Sequence, residues 1–210
     1  AARYKKINLK GATVAVEGFG NVGWFAAKYL SDAGAKLVAV SDSGGVAYLE
    51  KGLDFEQLDS VKKKKGSVVN YFGCTKLSSS EILKVKADIL VTAAIPDLIN
   101  VHDVDALKFK IIVEGSNIPM TSEVEELVHK KGILVVPDFV ANAGGVISSY
   151  VEFIGGTPQK MFKMVKEKVR KNTELVLKES FKRKCKPRDV AMEIAKKRVL
   201  KKCKVCSVQN

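Results

Sequence analysis

Three glycines at fixed spacing, in Gly18-Phe19-Gly20-Asn21-Val22-Gly23, are followed nineteen residues after the last of them by Asp42. Each glycine answers a different steric demand. Gly18 permits a tight turn, Gly20 lets a charged group approach the backbone, and Gly23 lets a helix and a strand pack closely. The free N–H groups and positive dipole end of a helix opening at Asn21 favour an anion. An acid roughly 20 residues further on suits the hydroxyls of a ribose. Together these residues describe a cradle for a pyrophosphate-bridged dinucleotide.

A glycine spacing carries little weight unless a strand precedes it and a helix follows. Here Ala12–Val16 is a short apolar, β-branched run with the character of a buried strand, and Trp24–Leu30 continues as a helix that Gly34 stops. A second strand, Lys36–Ser41, delivers Asp42 at its end, and Ser43-Gly44-Gly45 turns the chain into Val46–Leu49. Asp54 to Lys65 has helical spacing through Phe55, Leu58 and Val61. Its closing run Lys62-Lys63-Lys64-Lys65 reads as a solvated helix terminus, where cations suit the dipole. Strands are expected at Ile89–Thr92, Ile111–Val113 and Ile133–Val136, with a short helix over Val101–Leu107 and another capped by Thr121 and stopped by Gly132. This beat specifies an α/β fold, a doubly wound, mostly parallel sheet of Rossmann type, with ligands outside the carboxyl ends of the strands. After the last strand, Asn142-Ala143-Gly144-Gly145 opens a helix to Ile154. Gly155–Pro158 breaks it, and basic helices follow over 159–184 and 187–199. The expected division is a dinucleotide-binding domain over 1–158, with residues 1–10 as lead-in, and C-terminal helices over 159–210 packed on it. Residues from Lys201 onward read as a mobile tail.

The net charge of +13 is local: Lys160–Lys204 holds 18 Lys and Arg against 5 Asp and Glu, and the remaining residues balance. The apolar positions Phe162, Val165, Val169, Val176 and Phe181 are expected to bury one face of that segment. No aromatic interleaving of the kind single-strand binders use accompanies the charge. The basicity is therefore read as a solvated helix face, and no nucleic acid partner is expected. Length and a hydrophobic fraction of 46% suit a globular core. No apolar run reaches the roughly 18 residues of a membrane span. Four scattered cysteines suit a reducing cytoplasm better than a disulfide framework. Cys203-x-x-Cys206 has metal or redox spacing but no second pair and no nearby histidine, so it reads as two incidental thiols, and no metal site is expected.

Four stretches resemble the glutamate dehydrogenases of the glutamate/leucine/phenylalanine/valine dehydrogenase family. They are Thr13–Gly23 (with Glu17 where glutamine is common), Val40-Ser41-Asp42-Ser43, Val113–Asn117 and Pro137–Val146. The last block is the most specific. The resemblance implies reversible oxidative deamination of L-glutamate to 2-oxoglutarate and ammonia with NAD or NADP. By that resemblance Gly18, Phe19, Gly20, Asn21, Val22 and Gly23 hold the pyrophosphate, and Asp42 faces the adenosine ribose, with the cofactor-binding Ser43 next to it able to donate to a phosphate. Ala93, Ala94, Ile95, Asn117 and Asn142 line the nicotinamide side. Ser149 binds the distal carboxylate of the substrate, with Val146 packed beside it. The family's catalytic lysine and aspartate belong to an N-terminal domain, and their motif is absent here. No catalytic residue is expected in this chain, and its partners are the N-terminal catalytic domain and, in the family, a homo-oligomer of hexameric form. A leucine dehydrogenase and a basic nucleic-acid-binding module are the alternatives; the hydroxyl at Ser149 disfavours the first.

Overall fold

The computed structural model describes residues 1–203. Their contacts form two compact units, Ala1–Asn142 and a second from Ala143 onward, a division ahead of the expected one at 158. Its physical basis is that the helix after Asn142 packs on the long helix that follows it.

The first unit is a seven-stranded sheet. Its strands are β1 Thr13–Glu17, β2 Lys36–Asp42, β3 Gly45–Leu53, β4 Thr75–Leu77, β5 Ile89–Thr92, β6 Ile111–Glu114 and β7 Leu134–Val136, in the order β4-β3-β2-β1-β5-β6-β7. β2, β1, β5, β6 and β7 run parallel, and β3 and β4 extend the sheet antiparallel. The parallel strands are short, continuous apolar runs because both faces are covered. Ala15, Leu90, Ile112 and Val135 belong to one buried cluster with Ile82, Val104, Val124 and Val128 from the connecting segments. Strand order reverses at β1, with β2 on one side and β5 on the other, so the crevice of such a sheet opens at the carboxyl ends of β1 and β5.

Helix α1, Asn21–Asp32, follows β1 directly. Trp24 ties it to α2, Phe55–Lys65, by donating Nε1–H to Asp59 at 2.8 Å and packing edge-on against Phe55. α3 is Ser122–Lys130, capped by Thr121 as the sequence indicates, and a single turn, α4, covers Asp138–Ala141. The segment expected as a short helix at Val101–Leu107 is a 3₁₀ turn over Val101–Ala106, held by a reciprocal cap between Asn100 and Asp103.

The second unit contains α5 Gly144–Phe153, α6 Pro158–Arg183 and α7 Pro187–Lys202. Thr157 caps α6, with Pro158 at its first position, where a missing N–H costs nothing. Val176 and Leu177 of α6 and Val190 and Ala191 of α7 are buried, and the two helices pack on each other. Lys201 and Lys202 complete the last turn of α7 rather than a mobile tail, and Cys203 ends it. The physical reason is the dipole: two lysines at a helix C-terminus prolong it. Cys74 and Cys185 are free. The rest of the expected tail, with Cys206, lies outside the described residues.

Gly23 is the tightest point between α1 and β1. A Cβ placed there would overlap the Gly18 carbonyl and approach Val16 Cγ1 to 3.3 Å. Gly23→Ala is therefore expected to destabilise the protein by about 1–3 kcal/mol through overpacking, despite alanine's better helix propensity. A urea melt measures this; unchanged stability would show that the loop yields freely.

Candidate functional site

Eight polar or charged residues are buried among those described, and six of them lie at the carboxyl edge of the sheet: Glu17, Ser41, Thr92, Glu114, Ser116 and Asp138. Burying such groups is costly unless they are bonded, so their collection at one edge locates the site.

The three glycines of the turn after β1 differ in their surroundings. Gly18 has φ +89°, and a Cβ on it would lie 2.7 Å from Ala94 Cβ, because the turn after β1 packs on the turn after β5. Its N–H donates to the buried Ser41 Oγ at 3.0 Å. Gly20 has ordinary dihedrals, and a Cβ there would meet nothing within 4 Å. No side chain caps α1, and no acid stands in its first turn. An open glycine over an uncapped helix N-terminus is the arrangement an incoming phosphate requires. Phe19 turns its ring inward, 6% exposed and edge-on to Phe55, so it anchors the turn to α2. Val22 lies over Gly115, and a Cβ on that glycine would approach Val22 Cγ1 to 3.2 Å.

A cavity of about 830 Å³ runs along this edge, lined by Gly18, Phe19, Gly20, Asp42, Ser43, Ala93, Ala94 and Ile95 among the expected residues. Glu17, Ser41, Lys62, Ser79, Ser80, Asp97 and Asp103, none of them expected, also line it. Asn21, Val22 and Gly23 stand in the first turn of α1, outside the lining.

Asp42 is the most heavily bonded group in the wall, its side chain 5% exposed. Oδ1 accepts from Gly44 N and Ser67 Oγ, each at 2.8 Å. Oδ2 accepts from Lys62 Nζ at 2.7 Å and Val68 N at 2.9 Å. Burial raises its pKa, but the Lys62 ammonium, the Val68 N–H, the Ser67 hydroxyl and the Gly44 N–H outweigh it and hold the carboxyl below its ordinary value. Lys62, expected as part of a solvated terminus, is thus the ion-pair partner of a buried acid. Its signal in the sequence was position alone: it is the first cation of the run, one turn before the αL glycine Gly66.

Glu17 is 5% exposed, and its Oε2 accepts from Ala93 N at 2.9 Å and Ala94 N at 3.0 Å. Burial pushes its pKa up, against the lowering effect of those N–H groups and that of Ile95.

The two asparagines expected on the nicotinamide side meet each other: Asn142 Nδ2 donates to Asn117 Oδ1 at 2.6 Å. The strand-end acids hold their loop in place. Glu114 Oε2 accepts from Asp138 N, and Asp138 Oδ2 accepts from Ile118 N, fixing Ile118 at φ +48°, a rare conformation for a β-branched residue. In the second unit Val146 and Ser149 lie one turn apart on α5, both exposed, and Ser149 Oγ donates to Gly145 O at 3.2 Å. No His/Cys/Asp/Glu cluster able to hold a metal occurs among the described residues.

A mostly parallel α/β sheet with an open glycine turn at its switch point is a Rossmann-type nucleotide-binding module. Residues 1–205 match the model of the glutamate/leucine/phenylalanine/valine dehydrogenases, and the chain belongs to that family. It is 45% identical over 208 residues to a glutamate dehydrogenase of Aeropyrum pernix, covering 94% of this chain and 50% of the relative. To a glutamate dehydrogenase of Thermotoga maritima it is 48% identical over 149 residues, 70% of this chain and 36% of the relative. Among solved structures, the hetero-hexameric glutamate dehydrogenase of Thermus thermophilus superposes with a TM-score of 0.86 at 26% identity, over 97% of this chain and 50% of that one. The L-tryptophan dehydrogenase of Nostoc punctiforme does so with 0.74 at 28%, over 95% and 54%. The chain spans about half the length of the relatives it matches across most of its own length. Family and fold together imply use of NAD or NADP.

Proposed function

We propose that this chain is the dinucleotide-binding half of a glutamate dehydrogenase, which interconverts L-glutamate with 2-oxoglutarate and ammonia. The observation that supports this most is the open backbone at Gly20 over an uncapped helix, in a chain 45% identical to a glutamate dehydrogenase along nearly its whole length. The nicotinamide, when bound, supplies the hydride chemistry. The chain's own residues bind and orient. The N–H groups of Asn21, Val22 and Gly23 receive the pyrophosphate, and the Ala93–Ile95 turn with Asn117 and Asn142 borders the nicotinamide. Asp42 keeps the ribose end in shape by holding Lys62 and Ser67. A carboxylate has about four acceptor positions, and four protein donors already occupy them. Because Asp42 and Lys62 form a neutral pair, neither NAD nor NADP is strongly favoured, and their dissociation constants are expected within about tenfold of each other, about 1.4 kcal/mol. The catalytic lysine and aspartate belong to the half of the family's length that this chain does not span. Assembly into a hexamer is proposed for the longer protein, in line with the hexameric relative from Thermus thermophilus.

Calorimetric titration of NAD and NADP tests the binding. Absorbance of the reduced cofactor with glutamate, on this chain and on a version joined to a family N-terminal half, tests the division. Binding without turnover is expected of the chain alone, and robust turnover by it would overturn the half-site reading. Ser149→Ala, in the joined version, is expected to lower kcat/KM for glutamate roughly ten- to a hundredfold. This follows from loss of one charge-assisted bond of about 1.5–3 kcal/mol. Cofactor affinity is expected to stay constant. An unimpaired variant would remove Ser149 from the substrate site.

A further inference from the structure

We infer that Glu17 positions the phosphate turn against the Ala93–Ala94 turn and that its charge sets the pH dependence of dinucleotide binding. This rests on the reading of the cavity as a dinucleotide site.

The geometry is that of a clamp. Glu17 ends β1 opposite Thr92 of β5 and directly precedes Gly18. One of its oxygens gathers the N–H groups of Ala93 and Ala94, so the two turns that border the cavity are joined through one carboxyl group. Either form of that group can do this, since a protonated carboxyl keeps a carbonyl oxygen that accepts.

The charge is where the two forms differ. The wall carries four carboxylates, Glu17, Asp42 from β2, Asp97 from the loop after β5 and Asp103 from the 3₁₀ turn, against one ammonium, Lys62 from α2. Lys62 is already paired with Asp42, and the first turn of α1 adds no acid. A diphosphate entering this cavity meets net negative charge. Burial holds the Glu17 carboxyl above its ordinary value of 4.5, whereas Asp42 is held below its own. As pH falls through that raised value, Glu17 sheds its charge while Asp42 keeps its own, and an anion binds more tightly. Glutamine at this position would supply the acceptor without the charge at any pH.

The test compares wild type, Glu17→Gln and Glu17→Ala by calorimetric titration of NAD from about pH 5 to about pH 8, in two buffers of different ionisation enthalpy. The wild type is expected to take up protons on binding and to weaken several-fold toward the upper end. Glu17→Gln is expected to bind about three- to tenfold more tightly there, the effect of one charge in a partly screened site, with a flatter profile and less proton uptake. Glu17→Ala loses the acceptor and is expected to bind more weakly than Glu17→Gln. The ligand-free protein gives an independent readout. A carboxyl whose folded pKa is raised contributes stability below its unfolded value that is lost as pH rises through the folded one. The Glu17→Gln protein is therefore expected to melt above wild type by a margin that widens with pH. Equal pH profiles and proton uptake in wild type and Glu17→Gln would overturn the inference while leaving the dinucleotide reading intact. Equal binding by the Gln and Ala variants would overturn the clamp. Absence of binding by every protein at every pH would overturn the dinucleotide reading and this inference with it.

Discussion

Gly20→Val is expected to abolish dinucleotide binding and leave the fold standing. The glycine has φ −84° and ψ −164°, dihedrals open to any residue, and a Cβ on it meets no heavy atom within 4 Å. The protein therefore has room for the side chain. The ligand does not, because that space is the approach to the N–H groups of α1. Displacing a phosphate from two such donors removes charge-assisted bonds of about 1.5–3 kcal/mol each, on the order of a hundredfold or more in affinity. The cost to the fold is that of a poorer N-cap, about 1 kcal/mol. Titration of NAD and NADP with a parallel thermal melt decides the matter. Undiminished binding would mean that the phosphate lies elsewhere, and a collapsed melt would mean that Gly20 is structural. Gly23→Ala is the counterpart, since its Cβ strikes the turn itself and damages the fold first.

The glycine turn was legible in the sequence because each of its demands is a backbone demand, and a missing side chain is visible in one dimension. The parallel strands were legible for a similar reason: burial on both faces makes them unbroken apolar runs. The surroundings of Asp42 were not. Its partners Lys62, Ser67 and Val68 lie twenty or more residues away and arrive through β3, α2 and the turn after it. β3 includes the polar stretch Glu50-Lys51-Gly52 and β4 is three residues long, so neither carries a period that identifies it. The 3₁₀ turns at Ser79–Lys84 and Val101–Ala106, which bring Ser79, Ser80 and Asp103 to the cavity, are too short for any periodicity. Glu17 was visible as an acid in place of glutamine, but its burial and its hold on Ala93 and Ala94 depend on the pairing of β1 with β5. Sequence reasoning finds residues that answer to the local chain and misses those whose partners the sheet delivers.

Asp42→Asn is expected to destabilise the first unit by about 2–4 kcal/mol at neutral pH, the range for breaking a largely buried ion pair from one side. Asparagine retains one acceptor oxygen and puts an NH₂ where the other stood. Whichever way the amide turns, donors lose their partner: Gly44 N, with Ser67 Oγ turned from donor to acceptor, or Lys62 Nζ with Val68 N. In the second case an ammonium is also left facing an amide. The pH dependence follows from the lowered pKa. A carboxyl depressed in the folded state contributes stability that is present above its unfolded value, ordinarily 3.8, and lost as pH falls through the folded one. The gap between wild type and variant is therefore expected to be fully open at pH 7 and to narrow below about pH 4, opposite in sense to the effect at Glu17. Urea melts of both proteins at neutral and acid pH measure it. Titration of NAD on the folded variant separates the two roles open to this acid. Since its acceptor positions are filled by the protein, no ribose contact is lost: the loosened wall lowers affinity, the removed charge raises it as at Glu17, and Lys62, freed from its partner, is expected to shift the balance toward the more highly charged NADP. A variant as stable as wild type that loses NAD affinity selectively would instead make Asp42 a direct acceptor for the ribose, with Lys62 and Ser67 as its supports.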